Sequence, residues 1–253
     1  MRGADDCTPM TFDTGSSGAK GYSGSDNCVA SDPTCTPDPA RPAFAVTACD
    51  ENDAEAGISK PGTVSPDPKI GILDSGTAPG ATMTTAPVDT PDFLKSADKA
   101  RAYLNDLENA ARSQGRYFTG PRAVTTADGT AASPNITFVD GDCSLGSGVG
   151  GLVICTGAVT TSGNISFDGV FLALGGGTLT RSGGGNGDIN GSIVVAKFDR
   201  TWPAADNALP HPFYAPTFNT NGGGNSDIKY SSSAVNSALN LLSAPSVAGF
   251  LEY

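Results

Sequence analysis

The sequence predicts a mainly β fold: a short right-handed parallel β-helix of about four coils. One long flanking helix, a C-terminal capping helix and a loop-rich, disulfide-bonded N-terminal region are expected around it. Three observations carry that expectation. The 253 residues include 33 Gly and 18 Pro but only 16% charged residues, which disfavours a helical bundle and suits short strands between many turns. After Pro134, short β-rich runs recur, and VFLA at 170–173 and IVVA at 193–196 are continuous rather than alternating, as in strands buried on both faces. Finally, a segment repeats without a gap. Thr178-Leu-Thr-Arg-Ser-Gly-Gly-Gly-Asn-Gly-Asp-Ile189 returns as Thr217-Phe-Asn-Thr-Asn-Gly-Gly-Gly-Asn-Ser-Asp-Ile228, 39 residues later (217 − 178), with seven of twelve positions identical.

The order of segments follows from composition. Residues 1–88 are expected to be a loop-rich, disulfide-tied region, since CTPDPARP, SKPGTVSPDPK and DSGTAPG are turn chemistry with little apolar material. Residues 89–133 hold a helix and a connector. There Thr90 is a good N-cap, Pro91 suits the first helical position, and Asp92 lies near the positive end of the dipole. Phe93, Ala97, Ala100, Leu104, Leu107 and Ala111 then form one apolar stripe at helical spacing, and Gly115 sits where the helix should stop.

Residues 134–253 are expected to form the β-helix and its cap. Aligning the copies, with a looser one at Val159-Thr-Thr-Ser-Gly-Asn-Ile165, predicts three interior columns. One holds Ile136, Val159, Leu179 and Phe218; a second holds Ile165, Ile189 and Ile228; a third holds Leu152, Val170 and Ile193. A spacing of roughly 18 to 24 residues is that of a coil with three short strands. Arg181 and Asn186 fall on outward turns in this scheme. The segment 233–242 closes the last coil as a short helix with Val235, Leu239 and Leu242 inward.

Cysteine usage and charge bound the function. Cys7, Cys28, Cys35, Cys49, Cys143 and Cys155 form no C-x-x-C pair, and His211 is the single histidine, which argues against zinc or haem. An even count in a Gly/Ser/Thr-rich chain reads as disulfides and export. Cys143 is expected to pair with Cys155, and the other four among themselves, with their connectivity left open. The start MRGADDCTPM carries no apolar signal region, so an exported chain would stand here in mature or trimmed form. A net charge of −11 without a basic cluster argues against nucleic acid and against docking on anionic lipid, and no apolar run is long enough to span a membrane.

Several motifs read as chance or turns. Phe12-Asp13-Thr14-Gly15-Ser16-Ser17 and Leu73-Asp74-Ser75-Gly76-Thr77 resemble the paired signatures of pepsin-like proteases. Their aspartates are only 61 residues apart (74 − 13), too close for each to own a β-lobe. Gly146-Ser-Gly148-Val-Gly-Gly151 satisfies G-x-G-x-x-G but leads into a strand, not a helix, so it reads as a turn. The Gly184–Asp188 stretch is one residue short of calcium-binding β-roll spacing. Asp188 and Asp227 are therefore the only metal candidates, and weak ones, with turn hydrogen bonding or a polar ladder the expected role. Among the acids, Asp140, Asp142, Asp168, Asp188, Asp199 and Asp227 form no compelling catalytic pair. His211, bracketed by prolines, reads as an exposed loop histidine. No catalytic residue and no cofactor is expected.

Further matches carry a family resemblance. They are Gly151-Leu-Val-Ile-Cys-Thr-Gly157, Ser166-Phe-Asp-Gly-Val-Phe-Leu172, Gly175-Gly-Gly-Thr178, Ile189-Asn-Gly-Ser-Ile-Val-Val195, Tyr230-Ser-Ser and Gly249-Phe-Leu-Glu-Tyr253. On them, residues 135–253 resemble the C-terminal region of bacterial exported proteins with a PilX-type (type IV pilus assembly) pilin-like N-terminus. That family's hydrophobic N-terminal helix has no counterpart in these residues. The resemblance implies surface display or pilus association, with no enzymatic site to carry over. The expected function is a non-enzymatic extracellular structural or adhesive surface protein, pilus-associated or filament-forming. Expected partners are copies of itself, pilus subunits or surface glycans. The alternative is a β-helical carbohydrate-active enzyme, a polysaccharide lyase or hydrolase.

Overall fold

A computed structural model describes residues 8–15, 20–58, 63–65, 70–73, 85–88, 90–201 and 211–242. Its N-terminal elements are β1 (Thr11–Asp13), β2 (Lys20–Ser23), α1 (Cys28–Ser31), β3 (Phe44–Val46), α2 (Glu51–Ile58), β4 (Thr63–Ser65), β5 (Ile70–Leu73) and β6 (Thr85–Val88). The long helix α3 (Ala97–Ser113) precedes β7 (Tyr117–Thr119), β8 (Arg122–Val124), β9 (Asn135–Asp140) and β10 (Cys143–Leu145). Then come β11 (Val149–Cys155), β12 (Ala158–Ser162), β13 (Phe167–Gly175), β14 (Thr178–Ser182) and β15 (Gly187–Lys197). The last elements are β16 (Thr217–Asn219), β17 (Ser226–Lys229) and α4 (Ser232–Leu239).

All these strands pair in parallel, and from β8 to β17 consecutive strands alternate between two sheets. A six-stranded sheet has the order β1-β16-β14-β12-β10-β8, and an eight-stranded sheet the order β4-β2-β17-β15-β13-β11-β9-β7. A separate three-stranded sheet is ordered β3-β5-β6. The layers follow from strand alternation. One face of the eight-stranded sheet, with Ile136, Phe138, Leu152, Ile154, Val170 and Leu172, packs under α3 and α4. Its other face, with Val139, Val153, Phe167, Phe171 and Ile189, packs on Val124, Leu145, Val159, Leu179 and Phe218 of the six-stranded sheet. Burial on both faces is why VFLA is continuous rather than alternating.

The expected fold class is therefore corrected. Residues 134–253 do not form a free-standing four-coil parallel β-helix beside a loop-rich region. The strands lie in two parallel sheets rather than three columns of short strands, with helices laid over one face in an α/β/β layering. The N-terminal segment is also not merely loop, since β1 joins β16, and β2 joins β17 and β4. The C-terminal helix closes no stack end: α4 packs across β11, β13 and β15 and so covers the middle of the sheet. Ser232, Ala234 and Ala238 are its buried residues, Leu242 is buried in the 3-10 turn that follows, and Val235 and Leu239 are partly buried against the helix-covered face.

The two long repeat copies do pair as aligned, with Leu179 opposite Phe218 and Ile189 opposite Ile228. The columns differ elsewhere. Ile136 belongs to the eight-stranded sheet, opposite Leu152, not beneath Val159. Phe167, not Ile165, stands opposite Ile189. Ile193 lies opposite Phe171 while Val170 faces Ser192, a one-residue slip that moves Ile193 to the other face of the sheet. Gly151, Gly169 and Gly191 lie in one register column with φ of 114°, 144° and 134°, a backbone that disfavours any side chain.

Ala97, Ala100, Leu104, Leu107 and Ala111 of the expected stripe are buried along α3, and Phe93 is buried in the 3-10 turn before it. Its start differs: Pro91 precedes a 3-10 turn, and Ser96 is the N-cap, accepting from the Lys99 amide at 3.2 Å. Thr90 makes no cap here and is buried. Gly115, at φ 66°, does end the helix, and the Gly115 and Arg116 amides donate to the Arg112 and Ala111 carbonyls at 3.1 and 2.8 Å.

Candidate functional site

Parallel strands bring their C-terminal ends to one side, where ligand sites of parallel α/β sheets form. Here Asp140 ends β9, Thr156 follows β11, and Arg200 follows β15. Asp140 accepts from the Tyr117 hydroxyl at 2.7 Å, the Thr156 hydroxyl at 3.0 Å and the Arg200 guanidinium at 2.5 Å. Arg200 also donates to Thr156 Oγ1 at 3.1 Å, and the Arg112 guanidinium lies 3.3 Å from the Tyr117 ring centroid. Partial burial pushes the Asp140 carboxyl up, but the bonds from Tyr117, Arg200 and Thr156 outweigh it and hold it below the usual range. The bond to Asp140 and burial both push the Tyr117 hydroxyl up. The cluster thus pairs an ionised carboxylate with a protonated phenol. It can hold a hydroxylated or anionic group through the half-exposed Arg200 guanidinium.

Asp140 was legible as the polar end of the NITFVD run, but its partners were not. Tyr117, Thr156 and Arg200 lie 23, 16 and 60 residues away. Only the shared position after an apolar run, in GLVIC-Thr156, signals the grouping.

The metal candidates are brought together but around a lysine. Asp188 and Asp227 are register partners, and Lys229 Nζ lies 2.8 Å from Asp227 and 3.4 Å from Asp188. An ammonium occupies the place a cation would take. Other side chains form polar contacts nearby, with Asn190 donating to Asp168 at 3.1 Å and Asn27 to Asn190 at 3.2 Å. Asp142 accepts from the Ala158 amide, and Asp199 from the Tyr214 hydroxyl, both at 2.7 Å.

His211 is not an exposed loop histidine. It is 6% exposed, and its Nδ1 lies 2.8 Å from Asp98 on α3, so it fastens the 211–216 segment to the long helix. Arg181 is not on an outward turn either. Leu179 points inward, so in a strand Arg181 does too, and it is 5% exposed. Asn186 is exposed as expected. Gly146–Gly148 precede β11, and Val149, Gly150 and Gly151 already belong to that strand.

The protease-like Asp13 has a different explanation. β1 stands beside β16 with Phe12 opposite Phe218 and Asp13 opposite Asn219, and Tyr22 stands opposite Ile228. The offset is 206 in both strands (217 − 11 and 228 − 22), so 11–22 is a further, gap-free copy of the repeat. Thr11, Phe12, Thr14 and Gly18 match Thr217, Phe218, Thr220 and Gly224, a signal present in the sequence but hidden under the Asp-Thr-Gly motif. Asp74 lies outside the described residues.

Cys143 is bonded to Cys155, and Cys28 to Cys35. Cys49 is also disulfide-bonded, while Cys7 lies outside the described residues. Asp26 ties the Cys28–Cys35 loop to α4. It accepts from the Ser232 amide at 2.9 Å and hydroxyl at 2.6 Å, and from the Cys28 and Asp38 amides at 2.9 and 2.7 Å. No helix among the described residues is long and apolar enough to cross a membrane.

No family model, curated protein or solved structure matches this chain.

Proposed function

We propose that this chain is a non-enzymatic structural or adhesive protein of the cell surface, pilus-associated or filament-forming, that assembles end to end with copies of itself. One observation carries the reading: the two ends of the sheet pair differ in charge. At one end β7 and β8 are the outer strands of their sheets, with no strand beyond them among the described residues. The chain there, 112–122, holds Arg112, Arg116 and Arg122; Arg112 is paired with Glu108 and Arg122 with Asp128, which leaves Arg116 as the basic group outside these ion pairs. The other end includes 8–15 and 20–58, whose sequence holds Asp13, Asp26, Asp32, Asp38, Asp50, Glu51, Asp53 and Glu55 against Lys20 and Arg41. A strand edge is a template for further pairing, and opposite charges at opposite ends favour head-to-tail contact. Disulfides favour an extracellular setting, and the resemblance to PilX-type exported proteins favours pilus association.

Size-exclusion chromatography with negative-stain microscopy tests this. Linear oligomers that grow with concentration and shrink with salt or with Arg116→Glu are expected. A monomer at every concentration would overturn the assembly. The polar cluster at Asp140 and Arg200 favours the second reading, a carbohydrate-active enzyme. Product release in a screen of acidic and neutral polysaccharides would establish it in place of the first.

A further inference from the structure

Among the described residues, the space between the two sheets contains one charge without a counter-charge on it. Arg181, on β14, is 5% exposed, and its neighbours along the six-stranded sheet are Thr161 on β12, in register with it, and Thr220 just after β16. Both threonines are buried as well, and Thr220 Oγ1 lies 2.6 Å from the Tyr22 hydroxyl on the facing sheet. A guanidinium carries five N–H donors. Here Nη2 donates to the Gly185 carbonyl at 3.3 Å, and the buried Nε has no hydrogen-bond partner. The side chain lines a cavity of about 20 Å³ whose other walls include Leu145, Ile165, Phe167 and Ile189. Asp227 reaches the lining but is bridged by Lys229 at 2.8 Å and is partly exposed.

A buried cation without an anion is among the most costly arrangements in a protein interior. A cavity above roughly 10–15 Å³ holds a water-sized body. We infer that the cavity at Arg181 binds a small monovalent anion of halide size, with chloride the physiological member. The ion would take the buried Nε–H that has no acceptor, with Thr161 and Thr220 beside it in the lining.

The test is thermal unfolding of the full chain in sodium chloride against sodium gluconate at constant ionic strength, gluconate being too large to enter. Tm should rise about 2–5 °C for each tenfold increase in chloride above its dissociation constant. Arg181→Met should abolish that dependence and melt no lower than the parent in gluconate. Equal Tm in both salts, or a chloride dependence retained by Arg181→Met, would overturn the inference. Should that variant not fold, crystals of the parent chain in bromide decide. An anomalous peak within hydrogen-bonding distance of the Arg181 guanidinium supports the site, and a cavity without one overturns it.

Discussion

Ile189 stands between Phe167 and Ile228 in the eight-stranded sheet, facing the inner core. Truncating it to Ala should cost roughly 2–5 kcal/mol by urea unfolding, because the flanking strands restrict collapse of the cavity. Tyr230 behaves differently from an ordinary surface phenol. Burial raises its pKa first, the Arg41 guanidinium 5.1 Å from its ring opposes this, and its bond to Asp38 at 3.1 Å adds to the rise, to about 12. A phenol whose folded pKa is raised contributes stability fully present below its unfolded value of about 10 and lost as pH rises through the folded one. Ultraviolet titration should therefore show at least one of the six tyrosines ionising near pH 12 in the folded protein. Complete ionisation of all six near pH 10 without unfolding would contradict that environment.

At the scale of elements, what was legible depended on whether the signal was local. The stripe of α3 and its stop at Gly115 needed only helical spacing, and the gap-free pairing of 178–189 with 217–228 needed only self-similarity. The start of α3 was harder. Thr90-Pro91-Asp92 and Ser96 are both good openings, and tertiary packing of Phe93 gives the first a 3-10 turn while Ser96 caps the helix. Ser96→Ala should lower stability by about 1 kcal/mol through loss of the cap. Thr90→Ala should leave the helical signal in circular dichroism unchanged.

The interior columns failed where one residue decides the face, at Val170 and Ile193, because continuous apolar runs carry no alternation to set register. Arg181 shares the parity of Leu179 on β14, so it faces inward despite its charge. The Asp140 cluster was not legible, since its partners converge only when three strands and the 200 segment come together.

For the molecule as a whole, carboxylates join segments distant in sequence. Asp26 links the Cys28–Cys35 loop to α4, Asp98 links α3 to His211, and Asp140 links β9 to Arg200. Burial pushes each of the three up, but hydrogen bonds outweigh it and all three sit below the ordinary value. A depressed folded pKa contributes stability present above the unfolded value, near 3.9, and lost as pH falls through the folded one. Urea midpoints should be steady from about pH 7 to 5 and fall steeply below about pH 4. Asp26→Asn should flatten part of that fall. Intact mass after alkylation without reductant should show no uptake at Cys28, Cys35, Cys143 or Cys155.

The layered account rests most on the N-terminal copy of the repeat completing both sheets, across more than two hundred residues of chain. Nuclear Overhauser contacts measured on isotope-labelled protein test it directly. The rings of Phe12 and Phe218, with centroids 5.2 Å apart, should show mutual contacts, as should Tyr22 and Ile228, alongside those of Leu179 with Phe218. Contacts of Leu179 with Phe218 but none from Phe12 or Tyr22 to the last repeat would contradict it, leaving β16 and β17 as the outer strands.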